Sequence, residues 1–479
     1  MAVQEKLVCS SQLTFPTWPG RSVFYQIFPE RFYNGDTNND PEHIQPWGSK
    51  PDIHSFYGGD LQGILCKLPY LKTLGVNALY LNPIFKATTN HKYNTQDYLC
   101  IDPSFGDMEV FRKLVDELHK NGMKIILDGV FNHTGIHFWA FQDIIRKGAN
   151  SKFLDWYYIN ELPVTINPPN YECWWNISDL PKLNVPNPKV REYLKRVIRF
   201  WMKQGIDGWR LDVPNEIEMS FWVEFRQLVK GINPEAYIVG EIWHDATSWL
   251  QGDQFDAVMN YRWRDLVIQY LTCHDFSALD FENGLAAIRA PLRWEVTLNM
   301  LNVLGSHDTP RILTVFKGKV NLVKMAVLIQ MTYPGAPCIY YGDEVGLWGD
   351  KDPDCRRTMP WDACCQNLDI LHYYQKLINI RQAYRCFQEG GYRPILLEDR
   401  QEFFGFLRTG AQESGLVLVN RTNKPLHITI PIEIIRKQLP ECRSIINLTD
   451  IPHWQIDLRQ QARLELNLKP ESGSIWLIN

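Results

Sequence analysis

GWRLDVPNE, residues 208–216, sets an apolar run directly against a group of charges. The run starts at Ile206 and reads as a strand as far as Leu211. Arg210 and Asp212 stand two residues apart, and alternate residues of a strand share a face. KIILDGVFNH (124–133) shows the same arrangement upstream, and GEIWH (240–244) and LGSHDTPR (304–311) show it downstream. Each time a short apolar run ends in side chains that carry charge or bind protons.

Outward from these segments the chain alternates strand-like and helix-like stretches. Strands are expected at 23–28, 76–81, 124–130, 206–211, 236–241, 257–259, 300–304 and 338–341. Leu61, Ile64, Leu65, Leu68 and Leu71 follow helical spacing, with Gly75 as the stop, and 108–120 is a second helix ending at Asn121-Gly122. Repeated strand–helix units favour a parallel (β/α)₈ TIM barrel over an open doubly wound sheet. The interval from Val130 to Ile206 is too long for one crossover, and it holds Pro163, Pro168-Pro169 and Trp174-Trp175. It is read as an excursion subdomain after the third strand. Beyond about residue 390 the pattern changes to short strands at 402–407, 415–419, 426–430, 463–468 and 474–478. Leu464, Leu466 and Leu468 alternate with Glu465 and Asn467, the period of a half-buried strand. The expected organisation is a barrel over 1–132 and 181–388, the excursion over 133–180, and an antiparallel C-terminal β-sandwich over 389–479.

Composition narrows the function. The formal net charge is −4 with both signs interspersed, so neither nucleic acid nor an anionic membrane is an expected partner. No apolar run approaches the ~18 residues of a membrane span. The first residues lack an apolar stretch with a basic flank, so no signal peptide is expected. The 11 cysteines are scattered, without C-x-x-C or zinc spacing. They read as reduced thiols in a cytoplasmic setting. No glycine-rich phosphate loop follows a strand. The 17 Trp, 21 Tyr and 23 Phe mostly serve the core, but aromatic rings also stack on the apolar faces of sugars.

In a barrel the strand ends converge on one face, where active sites lie. Asp212, Glu241 and Asp308 end three different strands, with Arg210, His133 and His307 beside them. Retaining glycoside cleavage needs this kind of set: an ionised carboxylate to attack the anomeric carbon and a protonated carboxyl, about 5–5.5 Å away, for the leaving oxygen. Arg210 is expected to lower the pKa of Asp212 and keep it ionised. Glu241, beside Ile242 and Trp243, is expected to hold its proton to higher pH. Asp308 would bind ring hydroxyls, with His133 and His307 donating to the same sugar.

These four segments resemble the conserved regions of the α-amylase family, glycoside hydrolase family 13, in order and over nearly the whole chain. The resemblance implies Asp212 as nucleophile, Glu241 as general acid/base and Asp308 as transition-state stabiliser. It implies accessory roles for Arg210, His133 and His307, and a stacking role for Tyr93 in HKYNTQDY. LPKLN (180–184) and Asn215-Glu216 are similar to the neopullulanase, cyclomaltodextrinase and maltogenic amylase subfamily. DPDCRRTMPWD (352–362) resembles its segment after the eighth strand, where Asp352 and Arg356 would contact sugar; the bland alternative is a surface i, i+4 ion pair. The implied activity is hydrolysis of α-1,4 or α-1,6 bonds in maltodextrins, cyclodextrins, pullulan or branched glucan. Transglycosylation or branching by the same carboxylates, and a catalytically silent glucan-binding protein, are the alternatives.

Two departures stand out. Relatives in that subfamily carry an extra N-terminal β-domain, whereas the first barrel strand here begins near Val23. Pro214 stands where they have a small non-proline residue. The chain therefore also resembles debranching members, and the homodimer of relatives carries over weakly. NGDTNNDP (34–41), followed by YGGD (57–60), offers hard oxygen donors suited to Ca²⁺, although such Asn/Asp/Gly turns commonly bind nothing. The resemblance implies a structural calcium ion held by Asn34, Asp36, Asn39, Asp40, the Gly58 carbonyl and Asp60.

Overall fold

A computed structural model describes residues 14–397, 402–450 and 453–479; most of the stretch read for a signal peptide lies outside them. Eight parallel strands follow one another along the chain. They are β1 (Phe24–Ile27), β2 (Ala78–Leu81), β3 (Lys124–Gly129), β4 (Gly208–Leu211), β5 (Tyr237–Gly240), β6 (Ala257–Val258), β7 (Leu301–Val303) and β8 (Ala336–Tyr340). The sheet order is β6-β5-β4-β3-β2-β1-β8-β7. A parallel bridge between Met259 and Leu301 joins the two ends, and the Asn260 amide donates to the Leu301 carbonyl at 2.8 Å. The sheet is thereby closed into the expected barrel. Its strands are buried on both faces, which is why they appear in the sequence as unbroken apolar runs.

The helices pack on the outside. Residues 108–120 form the expected helix, Met108–Lys120, with Asp107 as its N-cap. The helix expected over Leu61 to Leu71 is instead two, Leu61–Cys66 and Leu68–Leu74, meeting at Lys67. Pro69 has no N–H to give to the carbonyl four residues back, so one continuous helix cannot form there. Gly75 ends the second helix at φ +94°, a left-handed conformation that glycine adopts without strain.

Between β3 and β4 the chain leaves the barrel. Phe141 packs edge-on to Tyr157 and Tyr171 at 4.9 Å. Antiparallel bridges His133–Lys182, Tyr157–Leu183 and Cys173–Pro181 bring the excursion back beside the end of β3. The helix Pro188–Lys203 then crosses to β4.

The C-terminal region is antiparallel. Its strands are β9 (Gly391–Ile395), β10 (Phe403–Thr409), β11 (Ser414–Asn420), β12 (Leu426–Pro431), β13 (Ser444–Asn447), β14 (Gln455–Asp457), β15 (Arg463–Leu468) and β16 (Ser472–Ile478). One sheet runs β9-β10-β11-β16-β13-β14 and the other pairs β12 with β15. Alternation along β11 shows the layering. Leu416 and Leu418 join the core between the two sheets, and Val417 and Val419 join the core shared with the barrel.

Candidate active site

Strand register builds the centre of the site. Asp128 on β3 lies opposite Arg210 on β4, and Leu211 lies opposite Gly240 on β5. Asp212 and Glu241 are the next residues after β4 and β5. Arg210 is fully buried and reaches all three acids. Its Nη1 donates to Asp128 at 2.8 Å and to Asp212 Oδ1 at 3.0 Å. Its Nη2 lies 2.6 Å from Glu241 Oε1, an ion pair off the hydrogen-bond direction. One guanidinium thus gathers acidic groups from three neighbouring strand ends.

Asp308, beyond the end of β7, closes the cluster. His307 Nε2 lies 3.1 Å from one of its oxygens, and Arg356 Nη2 lies 3.1 Å from the other. Arg356 also pairs with Asp352 at 3.1 Å and donates through Nε to the His307 carbonyl at 2.9 Å. Asp352 and Arg356 are therefore not a free surface pair; they brace Asp308. Tyr93 ties the two halves together. Its hydroxyl donates to Asp128 at 2.9 Å and stands 2.6 Å from His307 Nε2. The Gln26 amide donates to His307 Nδ1 at 2.9 Å, which leaves the proton on Nε2. His133 is buried at the end of the β3 segment, stacked against Trp174 at 5.6 Å, and its Nε2 has no partner.

Burial sets the protonation states. It pushes Glu241 up from 4.5 to about 7; Arg210 opposes this, while Asp308 and Asp128 add to it. Burial also raises Asp212 well above its ordinary value, against the pull of Arg210. The expected lowering of Asp212 is thus overturned. Arg210 does act in the foreseen direction, but its charge is shared with Asp128 and Glu241, and burial of the Asp212 carboxyl outweighs it. Asp308 goes the other way: its carboxylate is partly open to solvent, the remaining desolvation is outweighed by His307, Arg356 and Arg210, and its carboxyl falls below the usual range. Burial holds His307 neutral down to about pH 3, so above that pH Arg356 is the charge that counts. His133 and His91 are likewise held down to about 3 by burial.

Sequence reasoning missed several members. Asp128 stands in a quoted segment, but only register reveals that it faces Arg210. Tyr80 donates to Asp128 at 2.8 Å, and Asn82 donates to Tyr93 at 3.0 Å. In the sequence Trp243 shows only as an apolar neighbour of Glu241. Its ring is half exposed and stacks on Tyr261 at 3.6 Å.

The Asn/Asp loop lies apart from this cluster. Asp60 accepts from the Gly35, Asp36 and Gly63 amides and from Asn39, and Asn34 donates to Asp40 at 2.7 Å. Asp36 caps its own turn. The side-chain oxygens of Asn34 and Asn39 are buried without partners. Two orphaned amide oxygens beside Asp40 and Asp60 form a donor set of the kind a hard cation takes. Among the described residues no three Asp, Glu, His or Cys side chains converge as a metal cluster, so such an ion would lean on amide and carbonyl oxygens.

A closed parallel barrel whose strand ends gather acids on one arginine defines a barrel glycoside hydrolase. The chain belongs to the alpha-amylase family: residues 26–366 match the alpha amylase catalytic domain. Neopullulanase 2 from Thermoactinomyces vulgaris is 46% identical over 471 residues, covering 97% of this chain and 79% of that protein. Cyclic alpha-maltosyl-(1→6)-maltose hydrolase from Arthrobacter globiformis, in complex with its cyclic sugar, superposes with a TM-score of 0.89 at 39% identity, over 97% of this chain and 100% of that one. The debranching enzyme from Nostoc punctiforme gives a TM-score of 0.84 at 36% identity, over 97% and 99%. The chain is an α-glucan hydrolase of this family. No helix among the described residues is long and apolar enough to cross a membrane.

Proposed function

We propose that the chain hydrolyses α-1,4 and α-1,6 glucosidic bonds in maltodextrins, cyclodextrins, pullulan or branched glucan, with retention at the anomeric carbon. The observation that carries this is the placement of Asp212 and Glu241 on adjacent nitrogens of Arg210. Asp212 attacks the anomeric carbon and forms a glycosyl ester as the glycosidic bond breaks. Glu241 gives its proton to the leaving oxygen, then takes one from the water that opens the ester. Asp308, held by Arg356, and the neutral His133 and His307 bind ring hydroxyls.

The cluster holds more acids than cations, and we assign its proton to Glu241. Alignment supports this. Asp212 accepts a directed hydrogen bond from Arg210, which favours the ionised form, whereas the Glu241 contact is misaligned. Both linkages enter the proposal because the relatives include a neopullulanase, a hydrolase of a (1→6)-linked cyclic sugar and a debranching enzyme. Product analysis on linear and branched maltodextrins, with NMR of the first-formed anomer, tests it. An initial β-anomer, or near-normal turnover of Asp212→Asn, would refute the double displacement.

A structural calcium ion would be held by Asn34, Asp36, Asn39, Asp40, the Gly58 carbonyl and Asp60, tying the loop to the helix that starts at Leu61. A reducing, cytoplasmic setting is supported by the cysteines, which are unpaired throughout the described residues. A homodimer rests on the resemblance alone, and sedimentation velocity reads it directly.

A further inference from the structure

We propose that the outer face of Trp175 is a stacking platform for a glucosyl unit of the substrate beyond the bond being cut. The proposal rests on the α-glucan reading above. Trp175 is 76% exposed, the most exposed of the large hydrophobic side chains among the described residues. It lies flat on Trp174, with ring centroids 4.7 Å apart and planes 8° apart. Trp174 in turn stacks on His133 at 5.6 Å and 28°. A ladder of three rings therefore runs from the floor of the site out to solvent.

The backbone shows that this exposure is imposed rather than incidental. Trp175 sits at φ +48° and ψ +31°, and Asn176 follows at φ +59°. Asn tolerates the left-handed region, but a bulky residue there is strained. The turn is held against that strain. The Trp174 amide donates to the Leu180 carbonyl at 3.0 Å, the Leu180 amide to the Ile177 carbonyl at 2.9 Å, and the Tyr171 hydroxyl to the Ser178 carbonyl at 2.6 Å. A relaxed extended residue at 175 would turn its side chain away from the stack.

Two polar atoms beside the ladder point to a hydroxyl-rich ligand. His133 Nε2 and Trp174 Nε1 are buried without partners, and His133 is 1% exposed. Sugars supply both what these atoms lack and the apolar face that a flat indole takes. A protein partner fits less well. Ile177 is the one other large apolar side chain exposed in this turn, and a protein interface needs about 800 Å² per partner.

Trp175→Ala and Trp175→Phe, assayed on maltohexaose and on 4-nitrophenyl α-glucoside, test the platform. The expected result for Trp175→Ala is a KM for maltohexaose raised about tenfold with kcat little changed. Trp175→Phe should recover most of the loss, and the aryl glucoside, which has no second glucosyl unit to stack, should respond to neither change. An unaltered maltohexaose KM in Trp175→Ala would overturn the platform and leave the hydrolase reading intact. Equal losses on both substrates would also overturn it, since they would mean a collapsed turn. A wild-type chain that cuts neither maltohexaose nor pullulan would overturn the hydrolase reading beneath it.

Discussion

Glu241→Gln is expected to make the folded chain more stable above pH 7 while it removes turnover. The structure buries Glu241 at 4% exposure, and burial lifts its carboxyl from 4.5 to about 7. A group whose folded pKa lies above its unfolded value favours the fold at low pH and loses that contribution as pH rises through the folded pKa. Between pH 4.5 and 7 the folded chain keeps a proton that the unfolded chain has released, so stability declines across that window. Each pKa unit corresponds to about 1.4 kcal/mol, and the ionised residue costs the fold about 3 kcal/mol above pH 7. Gln has the same outline and no proton to lose. Arg210 still keeps Asp128 and Asp212 as partners, and Asp212 is relieved of a repelling neighbour. The stability difference should therefore grow from near zero at pH 4.5 to about 3 kcal/mol at pH 8. Urea unfolding of both forms at pH 4.5, 6 and 8 reads it. A difference that stays flat with pH, or a variant less stable than the parent at pH 8, would show that Glu241 is not held protonated by its surroundings.

Arg356→Lys should lower kcat/KM about 10- to 100-fold, because one ammonium cannot hold Asp308, Asp352 and the His307 carbonyl together; steady-state kinetics within twofold of the parent would contradict that bracing role. Gly240→Ala should cost about 1–3 kcal/mol in thermal unfolding, since a methyl group there would lie 2.9 Å from the Phe255 ring and 3.3 Å from Pro214. Chelation should lower the melting temperature and added calcium restore it, and Asn39→Ala should blunt that response. Elemental analysis without calcium, together with an unchanged melt, would discard the ion.

What the sequence revealed was set by how local each signal is. All eight barrel strands were legible because each is buried on both faces and shows as a bounded apolar run. In the larger C-terminal sheet the buried central strands were legible as apolar runs and the ones at or near its edges were not, while β12 and β15 showed by their alternation. Gly391–Ile395 is an edge strand with Pro394 inside it, and Gln455–Asp457 is exposed at the other edge. Ser444–Asn447 is too short to show a period. Asp212, Glu241 and Asp308 were legible because a carboxylate at the end of an apolar run needs a partner or a task. Asp128 was not, since its meaning lies in a register shared with a strand about eighty residues away. The direction of the Asp212 pKa shift was not legible for the same reason. Arg210 is two residues off in sequence, but the competing acids on the same guanidinium come from other strands.

The balance of charge around the cluster is what the chemistry requires. Asp128, Asp212, Glu241, Asp308 and Asp352 face two permanent cations, Arg210 and Arg356. The imidazoles of His91, His133 and His307 add no positive charge, because burial keeps each neutral down to about pH 3. The site is therefore short of cations, and the missing positive charge is of two kinds. Part is a proton on the acid, ready for the leaving oxygen. The rest is the charge that develops on the sugar ring as the glycosidic bond stretches. A cluster left electrically incomplete strengthens its hold on the ring as that charge appears, which is differential binding of the transition state. Neutral histidines serve the same end, since each can bond a hydroxyl without repelling the forming cation.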